Sequence, residues 1–520
     1  ALTMANPERT TARAAGRGGV AVLGAKVFFI LAGFVQQSLV RNAIGLAGTG
    51  ALSRVLAIAS VFNNVVVSSS IQGVSRTVAG ARESKEEAFR ATLRVHAPIA
   101  LALGVLFFLA APWIAAFEGA PHITTPLRVM SGVLAIYGVY APLIGSLNGR
   151  AMFTRQAALD VFAATLRTFG LLGMGYLFFS KGGSGALGST VGVLLAASCV
   201  LPLALRWTGI GKASTRSSAE IPSAGVYLAA LLPLAVAQLF TNGVMQIDIT
   251  LLGRFLSFGA LGSGLAPAEA TRSADEWVAV YRFSQFFAFL PYQLVFSITQ
   301  VLFPMVARAH AEGDRVAVRQ YVERGARLGA IACGLLVTIV VTIPGSVLNF
   351  AYGHEVAERG ASTLRVLAIG QGAFTLFGIA NTVLASLGRE RIAAVLSLVA
   401  LFAVAGFVTL AASEAPYGLP QLQATALATS VALALALAAA AFVVRKAAGG
   451  FVPPVTFVRA GIGVAIGAFA GTQLPVFGKL VTPFVCLGIA VAYVVFLVLT
   501  RELTAADAAM IRTLGGRKPT

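Results

Sequence analysis

Polar side chains at helical spacing punctuate the long apolar stretches of this chain, and they are where chemistry can occur. Lys26, Gly33, Gln37 and Arg41 fall near one face of the first stretch. Asn64, Ser68 and Gln72 recur every fourth residue in the second. Gln238, Asn242 and Gln246 repeat that spacing in the seventh, followed by Asp248, and Arg282, Gln285, Gln293 and Gln300 mark the eighth. Amides and cations of this kind bind hydroxyls and anionic groups by hydrogen bonds and ion pairs. A single amide has a plainer use, as an interhelical hydrogen bond that glues two helices together. For the set, a hydrated cavity is the better reading, because four stretches share the pattern whereas the third, eleventh, thirteenth and fourteenth are almost purely apolar.

The charges have competing readings. Lys26 lies about two turns into its stretch, so it can face a cavity or snorkel to the near surface. Arg54 and Arg282 each lie about one turn inside the far end of their stretches, where interface anchoring competes with a cavity role. Asp160 and Arg167 share a helical face and either neutralise each other or form a polar pocket. Asp248 can pair with Arg254 or Arg282, or carry a coupling proton or ion. Pro233 and Pro291 fall inside apolar stretches, and each removes a helical hydrogen bond, which makes them hinge candidates. Cys199, Cys333 and Cys486 sit in apolar runs as small hydrophobes, and no metal-ligand spacing or cofactor motif is present.

These residues are positioned by a membrane-spanning scaffold. The 520 residues are 57% hydrophobic and only 11% charged, with a mean hydropathy of +0.84. A soluble domain carries about 25% charge. Charge-poor runs of helical length, each near the ~20 residues that cross a bilayer core, fall near 18–40, 55–75, 97–117, 129–149, 156–180, 182–205 and 221–250. The second half continues with 283–307, 328–353, 366–388, 392–413, 420–444, 460–478 and 480–500. The fold expected is an all-α integral membrane protein of about 14 transmembrane helices. With the N-terminus cytoplasmic, 27 Lys and Arg residues fall on that side and 10 opposite, which puts both termini in the cytoplasm. The net charge of +19 then records orientation and contact with anionic lipid rather than nucleic-acid binding. No loop is long enough for a separate catalytic domain, which disfavours a membrane glycosyltransferase or polymerase.

The chain also repeats itself at a shift of six spans. Leu127-Arg128-Val129 matches Leu364-Arg365-Val366, and Ser146-Leu147-Asn148-Gly149-Arg150 matches Ser386-Leu387-Gly388-Arg389. An even shift keeps orientation, so two parallel six-helix lobes are expected, with two C-terminal helices outside the repeat. The resulting division is a tail at 1–17, an N-lobe at 18–210, a linker at 211–220, a C-lobe at 221–446, extra helices at 447–500 and a tail at 501–520.

Gly73-Val74-Ser75-Arg76 closing the second span, Leu302-Phe303-Pro304 closing the eighth, and the charged stretch after each carry a family resemblance. With the two repeats and the two extra helices, the chain resembles the multidrug/oligosaccharidyl-lipid/polysaccharide exporter superfamily, in its polysaccharide-flippase and lipid II flippase branches. That resemblance implies a non-enzymatic transporter of the bacterial inner membrane, working by alternating access between two lobes. It implies a cationic cavity for an undecaprenyl-diphosphate-linked oligosaccharide, with Lys26, Arg54 and Arg282 near the family's basic positions. Lipid II flippases carry several arginines around the first span, whereas this one has only Lys26 and Arg41, which tilts the expectation towards a polysaccharide or O-antigen precursor. The partners expected are that glycolipid and membrane lipids, with no nucleic acid, and the chain working as a monomer. A drug or cation antiporter of the same superfamily is the alternative. It would want cavity acids, for which Asp160 and Asp248 are the candidates.

Overall fold

The computed structural model describes residues 7–81, 85–208 and 223–504. Within them, the side chains up to 23 and those of 25–27, 30, 296–298 and 300–301 lie outside the description. The expected linker at 211–220 and most of the tail at 501–520 therefore fall outside the described residues, as does the side chain of Lys26. Every regular element among the described residues is a helix. The chain forms two compact units, residues 1–279 and 280–520.

The first unit contains α1 (Pro7–Gly80), α2 (Lys85–Phe117), the 3-10 turn η1 (Pro121–Ile123), α3 (Thr124–Gly149), α4 (Phe153–Ser180), α5 (Gly185–Thr208), α6 (Ala224–Gly262) and the start of α7 (Pro267–Ala288). α1 packs on α3, α4 and α6, α2 on α3, and α4 on α5. Its core near the end of α1 joins Val74, Val78, Phe89, Leu143, Leu147 and Leu159. The second unit takes the rest of α7, then α8 (Leu290–Ala311), α9 (Arg315–Thr342), α10 (Pro344–Tyr352), α11 (His354–Ser386), α12 (Glu390–Glu414), α13 (Leu419–Ala448), α14 (Pro454–Ala470) and α15 (Thr482–Leu499). α11 is its hub, touching α8, α9, α10, α12 and α13, while α14 and α15 pack on α9.

Eleven helices among the described residues are long and apolar enough to cross a membrane. One of them, Leu31–Gly80, holds two of the expected spans, and α7–α8 and the 17-residue α14 account for the remainder. Exposed apolar side chains such as Leu101, Trp113, Phe402, Phe442 and Phe484 stud the helices, as contact with hydrocarbon requires. The chain is a multi-pass membrane protein.

Three local features differ from the sequence expectation. The connection at 41–54 is helical, interrupted only at Gly45, whose φ of 72° is open to glycine at little cost. Arg54 consequently belongs to the second arm of α1. The eighth span is two helices that meet at Phe289, with Pro291 in the first turn of α8, where its missing N–H costs nothing. Pro233, by contrast, does not interrupt α6, which runs unbroken from Ala224 to Gly262 with the ring on an exposed face.

Candidate functional site

In the first unit the predicted amides of α1 and α6 meet. Asn64 Nδ2 donates to Asn242 Oδ1 at 2.9 Å, and Asn242 Nδ2 donates to the Gln238 carbonyl at 2.8 Å and to Gln238 Oε1 at 3.4 Å. Asn64 is exposed and Asn242 is buried, so the seam runs from open space into the packing. α6 packs unevenly around it. From Asn242 onwards it buries Val244, Asp248, Leu252, Leu256 and Ala260, whereas Tyr227 is the one buried residue on its earlier half. Asp248 is 1% exposed, and its Oδ1 accepts the Ile249 N–H at 2.8 Å. Gln37 is half-buried on α1, and its neighbour Gln36 is the more deeply buried of the two.

Arg54 does not face open space. Its side chain is 1% exposed and held by two carboxylates: Nε donates to Asp275 Oδ1 at 2.8 Å, and Nη1 to Glu118 Oε2 at 3.0 Å. His122 Nε2 lies 2.8 Å from the other Asp275 oxygen. Local turn chemistry brings the partners in. α2 ends in a cap at Gly119, with φ 62°, where the Ala120 N–H donates to the Ala115 carbonyl at 2.9 Å. That turn leaves Glu118 fully buried and starts η1 with His122 beside it. Two glycines let the helices close. A Cβ at Gly50 would meet the Asp275 carbonyl oxygen at 1.7 Å, and one at Gly253 would meet Glu118 Oε2 at 2.6 Å and Arg54 Nη1 at 2.8 Å. Arg254 caps the cluster, donating to the Phe117 carbonyl at 2.5 Å and lying over the Phe117 and Phe258 rings. Burial pushes Glu118 up to about 7, although Arg54 pulls the other way.

A second polar patch in this unit escaped the sequence reading. His96 on α2 is 4% exposed, with Nδ1 3.1 Å from Ser70 Oγ and Nε2 2.7 Å from Tyr227 Oη. Tyr227 also lines a cavity of about 330 Å³ with Thr77, Thr92 and Arg94. A histidine at the edge of an apolar run was the available signal. On α4, Arg167 lies 5.1 Å over the Phe29 ring, and Asp160 is half-buried.

In the second unit Arg282 Nη1 donates to Gln285 Oε1 at 2.7 Å, one turn before the α7–α8 junction. Aromatic rings surround that junction: Phe283 stacks on Tyr352 at 3.8 Å, and Tyr292 lies 5.0 Å from Phe374. A separate ion network lies at the end of α15. There Glu502, 4% exposed, accepts from Arg327 at 2.9 Å, Arg459 at 2.9 Å and Thr456 at 2.6 Å. Among the described residues no group of three or more His, Cys, Asp or Glu could hold a metal ion.

Comparison with known proteins places this architecture. A family model described as "Polysaccharide biosynthesis protein" matches residues 55–264, and a second, MatE, matches residues 270–409. No curated protein matches the chain. Among solved structures, the lipid II flippase MurJ in an inward closed conformation is 13% identical, with a TM-score of 0.67 over 93% of this chain and 99% of that one. An inward-facing multidrug resistance MATE family transporter is likewise 13% identical, with a TM-score of 0.60 over 86% of this chain and 98% of that one. An outward-facing transporter of the same kind gives 16% identity and a TM-score of 0.55 over 87% and 96% of the two chains.

Proposed function

The chain belongs to the multidrug/oligosaccharidyl-lipid/polysaccharide exporter superfamily, and on that premise we propose that it is a flippase for a lipid-linked oligosaccharide. The substrate class is an undecaprenyl-diphosphate-linked glycan, a polysaccharide or O-antigen precursor or lipid II. The membrane is the bacterial inner membrane, with both termini in the cytoplasm and the η1 end of the first unit outside. The observation that carries the reading is the match of residues 55–264 to a polysaccharide biosynthesis protein, over the stretch that holds the Asn64–Asn242–Gln238 seam.

The physical task fits that seam. A diphosphate headgroup cannot enter hydrocarbon unpaired, because an isolated ionised group costs many kcal/mol there. Bases pair with it and amides hydrogen-bond the sugar hydroxyls. Lys26 and Arg282 are the proposed bases, and Gln37, Asn64, Gln238, Asn242 and Gln285 the proposed amides. Arg54 takes a different role from the one expected of it, since two buried carboxylates already neutralise its charge. It closes α1 on α7. The junction at Phe289 beside Pro291 is the proposed hinge. Pro233 is the weaker hinge, being inside a continuous helix.

The test is translocation in proteoliposomes. A fluorescent undecaprenyl-diphosphate oligosaccharide should lose its protection from an external quencher or glycosidase in vesicles carrying the protein, and Lys26→Ala and Arg282→Ala should slow this severely. The MatE match at 270–409 favours a second reading, antiport of a cationic drug. Movement of a fluorescent organic cation with none of the glycolipid would select that reading instead.

A further inference from the structure

The cluster around Arg54 has more acid than its one buried cation neutralises, and two of its atoms are left over. Arg54 Nη2 and Glu118 Oε1 are both buried without a hydrogen-bond partner. The charged groups that act on Glu118 are Arg54 of α1, Arg254 of α6 and Asp275 of α7, while His122 of η1 faces the far oxygen of Asp275. The Arg272–Glu276 pair of α7 lies further out, with Arg272 77% exposed.

We propose that Glu118 is a proton-binding site that latches the η1 end of the first unit. With α1, α6 and α7 closed over it, Glu118 carries a proton; when they part and water enters, it releases that proton. A proton on Glu118 leaves Arg54 and Asp275 as a neutral pair, so the closed cluster buries no net charge. Without it, the closed cluster buries two carboxylates against one guanidinium, an arrangement that low dielectric penalises.

The sign follows from linkage. The closed state holds the proton up to about pH 7, whereas a hydrated glutamate holds it only to about 4.5. Acid therefore favours the closed latch, and the closed-to-open ratio changes about tenfold per pH unit between those limits. This inference rests on the transporter reading and not on the substrate. It makes extracytoplasmic pH a control on opening, with one proton released each time the latch opens.

The test uses the full chain in lipid nanodiscs, with Cys199, Cys333 and Cys486 replaced by Ala. Spin labels go on the exposed positions Thr125 and Glu269, and no substrate is added. Lowering the pH from about 8 to about 5 should shift the label distances towards the closed population. Glu118→Gln should abolish that shift and hold the closed distribution at every pH, and His122→Asn should leave the shift intact. A wild-type distribution that ignores pH, or a pH shift that survives Glu118→Gln, overturns the proposal. Infrared titration of the wild-type chain gives an answer even if Glu118→Gln fails to fold. A buried carboxylic acid band titrating near 7 is expected, and carboxyl bands titrating only near 4.5 would overturn the proposal.

Discussion

Glu118 in the first unit and Glu502 in the second are both buried glutamates in contact with arginine, yet their surroundings push them in opposite directions. Glu118 shares Arg54 with a second carboxylate, and burial raises it to about 7. Burial also works against the charged form of Glu502, but hydrogen bonds from Thr456, Arg327 and Arg459 overcome it and hold Glu502 below its usual range. Donor supply decides the outcome. One guanidinium divided between two acids leaves an oxygen orphaned; two guanidiniums and a hydroxyl on one acid satisfy it. The first arrangement joins α1, η1, α6 and α7 and is poised to come apart. The second ties α9, α14 and the end of α15 together and has no reason to.

The largest effect that separates the two should come from deleting the cations. Arg54→Ala strands the buried Asp275 carboxylate and leaves Glu118 without its donor, and a loss of about 3–5 kcal/mol is expected. Arg327→Ala leaves Glu502 with Arg459 and Thr456, so about 1–3 kcal/mol is expected. Thermal unfolding of the detergent-solubilised full chain measures both, and equal losses would erase the distinction.

Helix approach gives the next contrast. Gly50→Ala sets a Cβ against backbone, the Asp275 carbonyl, so α1 and α7 must move apart and the latch should open at all pH values. Gly253→Ala meets only side-chain ends and should weaken closure less. Label distances between Thr125 and Glu269 report the two effects directly, and the reverse ranking would mean that the close approach at Gly50 is not what sets closure.

The pH dependence should then differ in sign. Glu118 has a folded value above its unfolded one, so its contribution to stability is fully present below about 4.5 and is lost as pH rises through about 7. Glu502 has a folded value below its unfolded one, so its contribution is present above the unfolded value and is lost as pH falls through the folded one. Melting curves of Glu118→Gln and Glu502→Gln against wild type should therefore diverge in opposite directions along the pH axis. Parallel curves would place the two acids in equivalent surroundings. Smallest of all, Asn64→Ala removes one hydrogen bond at an exposed position, so about 0.5–1.5 kcal/mol or less is expected, with a larger effect on glycolipid translocation than on melting.

Much of this architecture was legible beforehand because membranes constrain sequences strongly. The span lengths, the all-helical class and the concentration of amides on the first, second, seventh and eighth spans follow from the cost of polar groups in hydrocarbon. Asn64, Gln238 and Asn242 were recognisable by spacing, and they meet as a pair of periodic faces should. The partners of Arg54 were not recognisable. Glu118 and His122 stand just beyond the end of α2, and Asp275 falls between two expected spans, where charge looks like ordinary surface; only the Gly119 turn and the packing of α7, which carries Asp275 in its interior, bring them inward. The helical path through 41–54 was hidden for a related reason. Polar Arg41 and Asn42 and the glycines Gly45, Gly48 and Gly50 look like a loop, yet a left-handed φ at Gly45 alone makes the bend. Glu502 lay in a presumed tail, and nothing local marks it as the centre of a network.

The most direct measurement compares both networks in the same membrane during use. One sample carries spin labels at Thr125 and Glu269, and another carries them at the exposed positions Arg324 and Val455 beside the Glu502 network. Distances are recorded in nanodiscs with and without an undecaprenyl-diphosphate oligosaccharide. The glycolipid should redistribute the Thr125–Glu269 distances and leave the Arg324–Val455 distances unchanged. A first pair indifferent to the glycolipid, or a second pair that moves with it, would contradict a flippase that opens at Arg54 and stays fixed at Glu502.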